Sequence, residues 1–83
     1  MKNSILTFTD DLNLISKLSN LGFNVTVDDE INNVFLCVYK YNDYLDLLGR
    51  VDDLIRDNIS NEFQITYKNK LYSVEEFLNK FER

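Results

Sequence analysis

The chain has 83 residues and a formal net charge of −5 at pH 7, with one cysteine and no histidine, proline or tryptophan. This length predicts a single domain over residues 1–83, in which folding buries roughly 60% of the surface that the unfolded chain exposes. The lack of histidine removes the usual proton carrier near neutral pH and the commonest metal ligand. One cysteine cannot form an internal disulfide, so we expect a reducing, cytoplasmic environment.

The first half of the chain predicts a strand, a helix and two more strands. Residues alternate in Ser4–Thr9 as in a strand, and Thr9 or Asp10 is the predicted cap of a helix that ends at the first glycine. Strict alternation over Phe23–Asp28 predicts the second strand. Val34–Tyr41 is apolar on both faces, which is typical of a central strand.

The second half predicts a helix, a hairpin and a last helix. Asn42 or Asp43 begins an amphipathic helix. Phe63–Tyr67 alternates as a strand and leads through a tight turn to a short strand at Leu71–Tyr72. Ser73–Glu76 has the pattern of a capping box, with serine at the N-cap and glutamate three residues later, and it predicts the start of a terminal helix.

This order predicts an α+β fold, namely a ferredoxin-like βαββαβ sandwich with a C-terminal short β-strand and third helix. Right-handed crossovers place the first and third strands in the middle of the sheet and both long helices on one face.

The third strand raises the question of what the other face of the sheet does. We expect Val34, Leu36 and Val38 to face the helices. The remaining side chains of this strand then point to the open face: Phe35, Cys37, Tyr39 and Tyr41. Three uses of that face stay open, because the terminal helix, a second copy of the chain, or a partner or ligand could cover it.

The sequence offers few residue patterns that could support catalysis or bind a cofactor. Cys37 lies in the most apolar strand with no histidine to activate it, which is typical of a buried structural cysteine. Gly22 and Gly49 do not form a phosphate-binding loop, and Asp28–Tyr39 lacks the central glycine and final glutamate of an EF-hand. We therefore predict no enzyme activity, no cofactor and no metal.

The charges indicate the kind of partner. Nine basic residues against fourteen acidic ones argue against direct nucleic-acid binding, and no apolar stretch is long enough to span a membrane. Residues 10–57 hold ten acidic and four basic residues, a net charge of −6. Such a surface is either solvated or matched to a larger basic protein.

The predicted partner-binding residues are acids of the second helix, acids of the turn before the third strand, and tyrosines near them that we expect to be exposed. They are Asp43, Asp46, Asp53, Asp57, Asp28, Asp29, Glu30, Tyr39, Tyr41 and Tyr44.

These features predict a small acidic protein-binding module. In size, charge and compactness the chain resembles the small acidic inhibitors of bacteriophages and mobile elements, such as anti-CRISPR proteins. That resemblance implies a stoichiometric inhibitor of a basic nucleic-acid-binding enzyme, acting in the host cytoplasm. The layout also resembles ACT-type domains, in which a helix follows the first strand and copies pair through their sheets. This second resemblance implies a regulatory small-ligand-binding domain or a homodimer.

Overall fold

The computed structural model describes residues 3–81, which form a five-stranded antiparallel sheet and three α-helices. In chain order the elements are β1 Ser4–Thr9, α1 Leu12–Asn20, β2 Asn24–Asp29, β3 Val34–Lys40, α2 Tyr44–Arg56, β4 Gln64–Tyr67, β5 Lys70–Ser73 and α3 Val74–Phe81, with a 3-10 turn over Ser60–Glu62 before β4.

The strands lie side by side in the order β2-β3-β1-β4-β5, and every neighbouring pair is antiparallel. The prediction of a mixed α+β fold is confirmed. β1 occupies the centre, with β3 and β4 on either side of it, while β2 and β5 form the two edges.

Local hydrogen bonds define where the helices begin. Asp43 caps α2 as predicted, because its carboxylate accepts the Asp46 amide at 2.8 Å. The cap predicted for α1 is wrong, because Asp11 caps it by accepting the Asn13 amide. Thr9 instead stays in β1 and its hydroxyl accepts the Asp11 amide at 3.0 Å.

The C-terminal hairpin and helix follow the predicted signals closely. In the capping box, the Ser73 amide donates to Glu76 Oε1 at 2.9 Å and the Glu76 amide donates to Ser73 Oγ at 3.1 Å. Lys68 and Asn69 both adopt left-handed backbone, with φ of 50° and 65°, as a two-residue hairpin turn requires.

All three helices pack on one face of the sheet. The buried core beneath them includes Ile5, Cys37 and Ile65 from the strands, Leu18 from α1 and Leu47 from α2. Further core side chains come from every helix and from the loops: Leu14, Phe23, Tyr41, Val51, Leu54, Phe63, Val74 and Phe77.

The face expected for β3 is therefore wrong. Tyr39 pairs with Ile5 and Cys37 pairs with Thr7, so the register with β1 turns these side chains toward the helices. Because β3 is apolar on both faces, its own pattern cannot distinguish the two orientations, and the pairing with β1 decides.

The terminal helix does not cover the opposite face either. The Phe77 ring of α3 lies 5.4 Å from the Tyr67 ring and 6.2 Å from the Tyr44 ring of α2, between ring centroids. α3 is thus the third helix of the same layer. Among residues 3–81 no helix covers the other side of the sheet, which we call the open face. The strand pairings give it the side chains Ser4, Leu6, Phe8, Asn24, Thr26, Leu36, Val38, Lys40, Gln64, Thr66, Leu71 and Ser73.

Candidate protein-interaction surface

The sequence predicts a partner-binding stripe from the acids of α2, but two of these acids make internal contacts. The Tyr39 hydroxyl donates to Asp46 Oδ1 at 2.7 Å, and the Asn42 amide donates to Asp46 Oδ2 at 2.9 Å. The Tyr39 hydrogen bond is the main reason why the pKa of Asp46 lies below its ordinary value. In turn, the same hydrogen bond raises the pKa of Tyr39.

Asp53 is also engaged within the molecule. It forms ion pairs with Arg50 at 3.2 Å and with Arg56 at 3.0 Å. Arg50 also donates to the Leu21 carbonyl at the end of α1, and its guanidinium lies 5.4 Å from the centre of the Tyr39 ring. We call these contacts the Arg50 cluster; its members are Tyr39, Asp46, Arg50, Asp53 and Arg56.

The Arg50 cluster connects α2 to α1 and β3. Of the remaining acids in the predicted stripe, Asp43 caps α2, and Asp57 is exposed just after that helix. The structure brings these acids to one side of α2, but most of their carboxylates have structural partners. Their binding of another protein stays a prediction.

The exposure expected of the tyrosines is wrong for Tyr41. Its side chain is buried, its hydroxyl donates to the Thr66 carbonyl at 2.6 Å, and burial raises its pKa. Tyr39 and Tyr44 are half-buried. The Tyr44 ring packs 5.8 Å from the Tyr67 ring, between ring centroids. Tyr41 belongs to the core, and Tyr39 and Tyr44 pack against it, where an aromatic ring contributes a large apolar area.

The predicted acidic turn between β2 and β3 is at the surface. Asp29 accepts hydrogen bonds from the Ile31 amide, the Asn32 amide and the Asn32 side chain. These hydrogen bonds, chiefly that of the Asn32 side chain, lower the pKa of Asp29. Asp28 and Glu30 on either side of it are exposed. Hydrogen bonds to Asp29 thus fix the shape of the turn, and the charges of Asp28 and Glu30 face solvent.

Strand order gathers acids that are distant in the sequence. Thr9 at the end of β1 pairs with Phe35 at the start of β3, and Phe35 pairs with Val27 near the end of β2. At the same edge Gln64 begins β4 and pairs with Ser73, which ends β5. The loops at this edge span roughly 20 Å, given about 4.8 Å between neighbouring strands. Eight acidic residues of these loops and of the adjoining ends of β2 and α3 form what we call the acidic end: Asp10, Asp11, Asp28, Asp29, Glu30, Glu62, Glu75 and Glu76.

The opposite edge of the sheet is rich in lysine. Lys40 ends β3, Lys68 lies in the hairpin turn from β4 to β5, and Lys70 begins β5. Three lysines thus lie at this edge, beside Asp43 at the start of α2, whereas the acids concentrate at the other edge. Sequence reasoning finds only the turn at 28–30, because the other members join it through the order of the strands.

A shallow pocket lies where the open face meets the acidic end. β4 starts only at Gln64, so its pairing with β1 stops at Leu6, while β1 continues beside β3 to Thr9. The resulting gap, of about 320 Å³, is the notch pocket. It is lined by Leu6, Thr7, Phe8, Asn61, Glu62, Phe63, Gln64 and Ser73.

The acids at this end of the sheet do not converge on a single point. Within residues 3–81, no group of three or more Asp, Glu or Cys side chains is placed to hold a metal ion. In the same part of the chain, no helix is long and apolar enough to cross a membrane.

Comparison of the chain with protein-family models, with curated proteins and with solved structures finds no significant match.

Proposed function

We propose that this chain is a small acidic protein-binding module that inhibits a larger, basic, nucleic-acid-binding protein by occupying its basic surface. The observation that supports this most is the position of the acidic end beside the open face. A surface with uncovered apolar side chains next to a concentrated charge of one sign has both components of a protein interface.

The apolar component consists of side chains that a monomer leaves uncovered. Phe8 is 52% exposed and Leu71 is 57% exposed, and both belong to the open face. Leu6 on β1 and Val38 on the neighbouring β3 belong to the same face and are nearly buried. Burying this area against a partner would supply affinity.

The acidic end supplies steering and selectivity in this proposal. A one-signed field accelerates the encounter with a partner of the opposite sign and disfavours wrong partners. A nucleic-acid-binding enzyme carries such a basic surface, because it contacts phosphates through Lys and Arg. The proposed inhibitor itself does not contact nucleic acid. A cytoplasmic location is part of the proposal and is supported by the single, buried Cys37.

We also propose that the fold is ferredoxin-like, extended at one edge by β5. This is supported by the run β2-β3-β1-β4 within the sheet, with α1 and α2 as crossovers on one face.

Inhibition assays test the proposal directly. The protein is titrated into DNA-cleavage reactions of CRISPR effector nucleases and restriction endonucleases. We expect loss of cleavage at about one inhibitor per enzyme for a susceptible enzyme. The double variant Asp28→Lys with Glu30→Lys should lose at least tenfold in potency, because each reversal removes an attractive charge and adds a repulsive one.

The single reversals Asp28→Lys and Asp52→Lys form the matched pair, because Asp52 is exposed on α2 and is not one of the predicted partner-binding residues. Asp52→Lys makes the same change in net charge as Asp28→Lys but away from the turn, so we expect it to retain most of the potency. Equal losses in both single variants, or no inhibition of any enzyme in the panel, would contradict the proposal.

A second candidate is favoured by the uncovered apolar side chains of the open face. An ACT-like domain would pair through its sheet with another copy and bind a small ligand. Light scattering distinguishes the inhibitor proposal from the ACT-like alternative. The inhibitor proposal predicts a monomer at about 100 μM, a concentration at which even a weak dimer would be detected. A dimer whose melting temperature rises with an amino acid would support the ACT-like alternative.

A further inference from the structure

The geometry points to the notch pocket as the acceptor for one arginine side chain of the basic partner. This inference rests on the proposed function and names the chemical group that its surface would recognise.

The pocket exists because the β4 strand is short. The 3-10 turn over Ser60–Glu62 ends just before Gln64, so the chain leaves the sheet plane there. The Thr7 hydroxyl donates to the Glu62 carbonyl at 2.6 Å and holds this turn against β1. This hydrogen bond, just beyond the last β1–β4 residue pair, therefore stabilises the wall of the notch pocket.

The lining offers the two surfaces that a guanidinium needs. Phe8 has half of its surface exposed and provides an aromatic face. Glu62 is exposed, lines the same pocket and belongs to the acidic end. A planar guanidinium stacks on an aromatic ring and pairs with a carboxylate through two parallel N–H bonds.

The remaining lining residues fit the rest of an arginine side chain. Leu6 provides an apolar floor for the methylene groups, since it is almost fully buried at the base of the open face. Gln64 of β4 and Ser73 of β5 line the opposite side of the pocket with polar side chains. The pocket volume of about 320 Å³ accommodates one arginine side chain. The pocket is too shallow to enclose a larger ligand.

Charge decides between ligand classes. The acidic end consists of eight acids, and the loops 10–11, 30–33 and 57–63 at this edge contain no basic residue. An anionic ligand would be repelled. Lysine would satisfy the charge but would lack the planar group that stacks on Phe8 and spans a carboxylate, so arginine is preferred.

The test uses the blocked tripeptide acetyl-Gly-Arg-Gly-amide as probe, with its lysine and citrulline analogues. Amide shifts of the full chain are followed by NMR at low salt. We expect saturable shifts at Phe8, Gln64 and Ser73 with the arginine peptide. Citrulline has the same shape without the charge and should bind about tenfold more weakly.

Two variants of the pocket should weaken the arginine peptide: Phe8→Leu, which keeps apolar bulk without the ring, and Glu62→Gln. Both positions are exposed, so the fold should survive, and a thermal melt verifies this. The matched controls are Leu71→Ala, on the open face away from the pocket, and Glu75→Gln, at the acidic end but outside the pocket lining.

Equal binding of arginine and citrulline peptides, or shifts that bypass the pocket, would overturn the inference. It would also be overturned if Phe8→Leu and Glu62→Gln inhibit the partner as well as the original chain does, while the reversal of Asp28 and Glu30 abolishes inhibition. That last result would leave the proposed function intact. Conversely, peptide binding without inhibition of any basic enzyme would support the pocket and contradict the proposed function.

Discussion

Arg50 donates to the Leu21 carbonyl, pairs with Asp53 and lies over the Tyr39 ring, which itself binds Asp46. At the residue scale these contacts give Asp46 and Asp53 of α2 a structural role. The sequence shows their spacing on one side of a helix, but not the β3 tyrosine or the end of α1 that meet them.

The Tyr39–Asp46 hydrogen bond should contribute measurably to stability. We expect a double-mutant cycle of Tyr39→Phe and Asp46→Asn to give a coupling free energy of about 1 kcal/mol, since one partner is ionised and the site is partly exposed. Urea unfolding of the four proteins measures it. Asp52→Asn is the control, expected within about 0.5 kcal/mol because that side chain is exposed. Additive single effects would show that the bond contributes nothing.

Acid should weaken the fold through three carboxylates. Hydrogen bonds lower the pKa of Asp29, Asp46 and Glu76 below their ordinary values, with Asn32, Tyr39 and Ser73 as the main partners. A lowered pKa in the folded state means that stability is fully present above the unfolded value near about 4 and is lost as the pH falls through the folded one. Urea midpoints between about pH 6 and 2 should fall accordingly. Asp46→Asn should flatten the decline, and an unchanged slope would contradict the assignment.

Local hydrogen bonds are predictable from the sequence, whereas contacts between elements are not. The capping box at Ser73 and the cap at Asp43 need only neighbours within three residues, so the chain itself specifies them. The α1 cap lies one or two residues beyond its predicted position because three consecutive residues can each cap a helix. Thr9 accepts the amide of Asp11, which precedes the helix, whereas Asp11 accepts amides within it.

At the element scale, α3 is part of the core. Val74 and Phe77 are buried, and Phe77 contacts aromatic rings from α2, β4 and β5. Phe77→Ala should therefore lower the free energy of unfolding by about 3–5 kcal/mol, a large part of the total for a domain of this size. Thermal and urea melts test this. Glu75→Ala on the exposed side is the control, and a small effect of Phe77→Ala would contradict the observed packing.

Replacing each of the two glycines by alanine should change the stability of the fold in opposite directions. Gly49 lies within α2, where an added Cβ would meet no neighbouring atom within 4 Å, so Gly49→Ala should stabilise by about 1 kcal/mol. Gly22 has φ of +96°, and a Cβ there would lie 3.3 Å from the Tyr39 ring, so Gly22→Ala should destabilise. Melting temperatures distinguish the two, and a shift of the same sign in both would contradict this account.

The orientation of β3 marks the limit of prediction at this scale. Element types and their order follow from local periodicity, and the structure has them with small shifts of boundary. The direction that Cys37 faces depends on its pairing with Thr7 and Val25 on two other strands. A strand that is apolar on both sides carries no signal for that choice, and the expected location of α3 depends on the same choice.

At the scale of the whole molecule, charge is sorted by the sheet. Acids of three loops and of the adjoining ends of β2 and α3 meet at one edge, while Lys40, Lys68 and Lys70 lie at the other. The sequence predicts the acidic turn at 28–30 because it is contiguous. The notch pocket is not predictable, because it arises from the mismatch in length between β1 and β4.

This sorting predicts how binding to a basic partner depends on salt. The association rate with an enzyme identified in the inhibition assays should fall steeply as salt rises from about 0.05 to 0.5 M, because screening shortens the range of the acidic end from about 14 to 4 Å. The dissociation rate should change less, since the apolar contacts of the open face are insensitive to screening. Reversing Asp28 should flatten the salt dependence, whereas reversing Asp52 on the exposed side of α2 should leave most of it. Stopped-flow mixing measures both rates, and an association rate independent of salt would contradict a role for the acidic end in steering.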